Sequence, residues 1–147
     1  MTFIEYFRGS VLFHYKSCFL LSGISILVAE DNLVNQKIAN YILSKQGATV
    51  TTAMNGQEAI NMLQDNNIDV ILMDLQMPGL DGLEAAKYIR REMKNNVPII
   101  ALTADLFASE TNECIEAGIN ACISKPFDPV ALCDLILNLI SNGTNTF

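Results

Sequence analysis

The sequence predicts an α/β fold in which a parallel sheet carries helices on both faces. Three observations predict it. From Ile24 onward, short apolar runs alternate five times with stretches of helical spacing. Several of the runs, such as "IDVILMD" and "VPIIALTA", are continuously apolar rather than alternating, which implies burial on both faces. Helix-ending and helix-starting residues stand at the joints, as with Gly47, Gly118 and the pair Asp128–Pro129.

Each element can be justified in order. "ISILVAED" is a short strand ending in acids. "NLVNQKIANYILSKQG" has helical spacing at Val34, Ile38, Tyr41 and Ile42, with Gly47 placed to end it. "ATVTTAM" is rich in β-branched residues and reads as a strand. "NGQEAINMLQDN" reads as a helix through Ala59, Ile60 and Leu63. The strand "IDVILMD" then precedes the helix "GLEAAKYIRREM", and "VPIIALTA" precedes "FASETNECIEAG". "ACISKP" is the fifth strand, and "DPVALCDLILNLI" the last helix, with Asp128 as its cap. Five βα units of this kind suit a doubly wound, three-layer sheet in the flavodoxin-like order 2-1-3-4-5, whose ligands bind beyond the carboxyl ends of the strands.

The remaining composition narrows the class. The chain has 147 residues, enough for one domain with a sizeable core, and half of it is apolar. A formal charge of −7 argues against a nucleic-acid binder and suits a cation or a basic partner. Cys18, Cys114, Cys122 and Cys133 form no C-x-x-C pair, and His14 stands alone, so reduced thiols in a cytoplasmic protein are expected rather than a zinc site. Residues 1–22 are apolar but broken by Glu5, Arg8, His14 and Lys16, which excludes a membrane span and fits a signal peptide poorly. Phe3, Phe7, Val11 and Tyr15 recur every four residues, so this stretch reads as a short amphipathic helix, as a linker remnant, or as the product of a start codon assigned too early. The expected organisation is an extension over 1–22, one domain over 23–142 and a tail over 143–147.

The strand ends carry the chemistry. In "VILMDLQMPG" a buried strand ends on one carboxylate, Asp74. The first strand delivers Glu30 and Asp31, the fourth Thr103, and the fifth Lys125. With the first and third strands adjacent, Asp31 and Asp74 should face each other beside Glu30. Two unit charges at about 4 Å repel by roughly 4 kcal/mol at an effective dielectric near 20. A hard divalent cation held by oxygen ligands relieves that repulsion, and Mg²⁺ is the best candidate. A cation among carboxylates, with a lysine and a hydroxyl nearby, describes a phosphoryl site in which a carboxylate can attack phosphorus. Taken singly, Glu30, Asp31 or Asn32 could merely cap the first helix, Thr103 could be an ordinary strand-end hydroxyl, and Lys125 a solvated charge. Four strand ends carrying these types together are hard to explain as accident.

Residues 24–141 resemble a response-regulator receiver domain of two-component signalling, through "ILVAEDN", "VILMDLQMPGLDG", "IIALTA" and "SKPF". The wording "AEDNLVN" and "MDLQMP" is most like receivers of hybrid histidine kinases. The resemblance implies that Asp74 is the phosphoacceptor, that Asp31, Asp74 and the backbone carbonyl of Gln76 bind Mg²⁺ together with Glu30 partly through water, and that Thr103 is the switch hydroxyl. It implies that Lys125 contacts the phosphoryl group and that the Lys125–Pro126 bond is cis. One departure is Cys122, which stands where the family usually has an aromatic ring; a small thiol can signal little to the fourth helix, fifth strand and fifth helix by changing rotamer.

Such a domain is expected to take a phosphoryl group from a histidine kinase dimerisation domain or a histidine-phosphotransfer protein, as relay or switch. It would catalyse its own phosphorylation and slow hydrolysis rather than act as a stand-alone enzyme. It would be a monomer or weak dimer, either free-standing or a fragment of a hybrid kinase. Two other classes fit less well. A phosphatase of the haloacid-dehalogenase type needs a second acid two residues after its nucleophile, where Gln76 stands. A flavin or dinucleotide binder needs a glycine-rich phosphate loop after the first strand, where "EDNLVN" supplies two acids and no glycine.

Overall fold

A computed structural model describes residues 20–142. The spacing at Phe3 to Tyr15, Cys18 and the tail 143–147 lie outside the described residues. Among these, β1 (Ser25–Ala29), β2 (Thr49–Ala53), β3 (Val70–Asp74), β4 (Ile99–Thr103) and β5 (Ala121–Ser124) form one sheet in the order β2-β1-β3-β4-β5. Every pairing is parallel. The connections are α1 (Leu33–Lys45), α2 (Gly56–Asp65), α3 (Gly82–Arg91) and α4 (Ala108–Ala117), and α5 (Pro129–Asn142) follows the last strand.

The period of two along each strand splits the core into two layers. Leu27, Ile71, Met73 and Ile99 turn to one face, where Ile60 of α2, Ile89 of α3 and Cys114 of α4 cover them. Ile26, Val28, Val70, Leu72, Ile100 and Leu102 turn to the other, under α1 and α5. All residues of β3 and β4 are buried, because helices cover both faces of the central strands, whereas the edge strand β2 keeps only Ala53 buried. Leu21, just ahead of the boundary expected at residue 23, is fully buried in the second layer, and its N–H donates to the Gln46 carbonyl at 2.9 Å.

One helix faces differently from what its spacing suggests. Val34, Ile38 and Tyr41 of α1 are exposed, and Ile42 is only partly buried; Ala39 and Leu43 make the contact with the sheet. Two stripes, each of helical period, run along this helix. The small Ala39 lets one of them approach the strands closely, and the bulkier stripe is left outside.

Turns at both edges of the sheet are built tightly, that after β3 on the site side and that before β5 on the opposite side. A Cβ at Gly82 would collide with the Asp74 carbonyl oxygen, so the chain re-enters α3 directly against the end of β3 only with glycine at that position. Gly118 ends α4 at φ +85°, in the left-handed region, and its N–H returns to the Ile115 carbonyl at 3.0 Å.

Candidate functional site

The register places the site. Asp74, the last residue of β3, pairs with Leu102 of β4, and β1 runs alongside with Ala29 opposite Met73, so Glu30 and Asp31 follow β1 at the same edge. Asn32 takes the capping duty for α1: its Oδ1 accepts from the N–H groups of Val34 and Asn35, each at 3.0 Å. The two acids before it are thereby left to the cleft. One carboxylate oxygen from each of Glu30, Asp31 and Asp74 lies within 4.8 Å of the others.

Lys125 holds two of these acids. Its Nζ donates to Glu30 Oε2 at 2.9 Å and to Asp74 Oδ2 at 3.0 Å. The second oxygen of each acid is met by backbone: Asn32 N–H donates to Glu30 Oε1 at 3.1 Å, and Gln76 N–H to Asp74 Oδ1 at 3.0 Å. Burial pushes the Glu30 carboxyl upward, against the pull of Lys125 and the Asn32 amide, and the Asp74 charge adds to the rise. Burial alone would weaken the ammonium of Lys125, but its hydrogen bonds to Glu30 and Asp74 outweigh it and hold its pKa above the usual value. The Lys125–Pro126 peptide bond is cis.

Thr103 closes β4 buried at the same edge, yet its hydroxyl is engaged elsewhere, donating to the Asp105 carbonyl at 2.8 Å and to Glu110 Oε2 at 3.0 Å. Glu110 thus joins Glu30, Asp31, Asp74, Thr103 and Lys125 around one cleft of about 220 Å³. Nothing in the sequence marks Glu110 out from its neighbours Glu113 and Glu116; only the turn from β4 into α4 brings it back to Thr103. Cys122, half-buried in β5, packs against the core layer that holds Cys114 of α4, a neighbourhood that spacing along the chain does not announce. Burial, with that neighbour, pushes Cys122 up to about 12.

The model of the response regulator receiver domain matches residues 26–137. The chain belongs to that family. A curated relative, hybrid signal transduction histidine kinase M of Dictyostelium discoideum, is 42% identical over 123 residues, covering 80% of this chain and 5% of the kinase. This chain spans only 5–14% of the length of its first curated relatives. Two solved structures are similar. The receiver domain of sensor histidine kinase PA1611 of Pseudomonas aeruginosa, crystallised with a magnesium ion coordinated in its active site cleft, is 37% identical with a TM-score of 0.75, over 82% of this chain and 100% of that one. The receiver domain of Ssk1 of Saccharomyces cerevisiae, co-crystallised with the histidine phosphotransfer protein Ypd1, is 36% identical with a TM-score of 0.74, over 78% of this chain and 87% of that one. This receiver domain is therefore a two-component signalling module, homologous to parts of hybrid histidine kinases. No helix among its described residues is long and apolar enough to cross a membrane.

Proposed function

We propose that this receiver domain accepts a phosphoryl group on Asp74 from the phosphohistidine of a kinase dimerisation domain or a histidine-phosphotransfer protein. The observation that carries the reading is the setting of Asp74: a strand-end carboxylate 5% exposed, fixed through one oxygen by Gln76 N–H and through the other by Lys125, with two further acids in reach. In the step, an Asp74 oxygen forms a bond to phosphorus while the P–N bond to the donor imidazole breaks. Lys125 transfers its hydrogen bonding from the carboxylates to phosphoryl oxygens, and Thr103 donates to another. Glu30, Asp31, Asp74 and the Gln76 carbonyl suit a hard cation, and Mg²⁺, when bound there, would neutralise charge on the transferred group. The same groups support self-catalysed hydrolysis of the acyl phosphate. Free thiols at Cys114, Cys122 and Cys133 suit a reducing compartment such as the cytoplasm.

The docking surface in this reading is the start of α1 with the Lys125–Phe127 loop. Leu33, Val34 and Ile38 are exposed there, and an apolar hollow of about 330 Å³ opens between Ile38 and Phe127. A helical donor can seat on that face with its histidine over Asp74, which favours a relay that works as a monomer or weak dimer. Incubation with acetyl phosphate and Mg²⁺ should place one base-labile phosphate on the chain, and Asp74→Asn should abolish it. Labelling that persists in Asp74→Asn, or that maps to serine or threonine, overturns the assignment.

A further inference from the structure

The Thr103 hydroxyl has one proton and two acceptors, the Asp105 carbonyl at 2.8 Å and the Glu110 carboxylate at 3.0 Å, and it also accepts the Asp105 N–H at 3.2 Å. Of the two acceptors, a charged carboxylate holds a proton donor more strongly than a neutral carbonyl. Glu110 lies in the first turn of α4, and the residue at the N-cap, Phe107, makes no side-chain capping bond. The Thr103–Glu110 bond therefore ties the end of β4 to a helix start that lacks the usual side-chain anchor. We propose that Glu110 is a positioning residue: its carboxylate holds the Thr103 hydroxyl in the unphosphorylated chain, and phosphorylation breaks that bond and frees the first turn of α4.

The inference rests on Asp74 being the phosphoacceptor. A hydroxyl that donates to a phosphoryl oxygen cannot also donate to Glu110, so the two partners exclude each other. The phosphoryl group also brings negative charge into a cleft that Glu110 lines, which repels the freed carboxylate. The small Cys122 thiol offers no bulky ring whose movement could report the state of Thr103, whereas release of Glu110 passes the change directly to α4.

The test is a double-mutant cycle read as affinity for beryllofluoride, a phosphoryl mimic, in saturating Mg²⁺. Glu110→Ala should bind it about threefold to tenfold more tightly than the wild-type chain, because the hydroxyl no longer has to leave a charged partner. Glu110→Gln, which keeps an acceptor oxygen, should gain less. In the Thr103→Val background the Glu110→Ala gain should shrink to the part due to charge alone. Hydrogen exchange at amides 108–113 should quicken when the wild-type chain binds beryllofluoride, and should already be quick in unliganded Glu110→Ala. Equal gains in both backgrounds, or exchange at 108–113 unmoved by ligand and by substitution, overturn the latch while leaving the phosphoacceptor reading standing. Absence of Mg²⁺-dependent beryllofluoride binding by the wild-type chain overturns that reading and the latch with it.

Discussion

At the scale of single residues, the carboxylate proposed as phosphoacceptor and the thiols of this domain are set in opposite environments. Asp74 is buried, with a backbone N–H on one carboxylate oxygen and an ammonium on the other, so both oxygens are held in fixed directions. Cys114 is buried and Cys122 half-buried beside it, with no cation on either sulfur among the described residues, and a thiol in such surroundings stays protonated. A rise from 9.0 to about 12 leaves Cys122 with about a thousandfold less thiolate at a given pH. Alkylation of the native chain by iodoacetamide at pH 8, mapped by peptide mass, should therefore modify Cys122 far more slowly than the same site in the urea-unfolded chain. Native labelling at the unfolded rate would contradict the environment described. The linkage has a definite sign. The folded chain binds this proton more tightly, so the stabilisation is whole below about pH 9 and is lost as pH climbs toward 12.

At the scale of elements, the central strands and the acids at their ends were legible because a two-sided apolar run has one reading and a charged residue ending it stands out. Glu30, Asp31, Asp74 and Lys125 meet where "ILVAED", "VILMD" and "ISKP" end, and strand order alone brings those ends together. The orientation of α1 was not legible, because periodicity reveals a stripe without telling which of two stripes meets the sheet. Glu110 was not legible either, since its role depends on a fold-back from β4 into α4 that local sequence does not encode. The exposed stripe of α1 has a consequence that separates packing from recognition. Ile38→Asp removes apolar surface that is 49% exposed and leaves Ala39 and Leu43 in place. The melting temperature should shift by no more than a degree or two, as for other surface changes. Transfer from a phosphorylated histidine domain should slow at least tenfold, while labelling by acetyl phosphate, which needs no docking face, stays near the wild-type rate. Equal loss with both donors would place the defect in Asp74 chemistry and remove α1 from the docking surface.

At the scale of the whole molecule, charge and stability are linked through the same cleft. The chain carries a formal −7, and part of that charge is concentrated where three carboxylates gather about one ammonium that bonds two of them, a formal excess of two negative charges. The fold holds these acids together because the sheet order dictates it, and the repulsion is a cost to the folded state that the unfolded chain escapes. A divalent cation that binds only the folded arrangement recovers that cost. At ten times its dissociation constant, binding adds about 1.4 kcal/mol to the stability, which for a domain of this size raises Tm by roughly 4–6 °C. Thermal melts of the full chain across a Mg²⁺ series should show that rise. Asp31→Asn should begin from a higher Tm without metal, since it removes one repelling charge, and should gain less from Mg²⁺, since it removes a ligand. Both effects must appear together, because repulsion and ligation come from the same carboxylate. A wild-type Tm unmoved by saturating Mg²⁺ would show that the three acids do not act as one cation site.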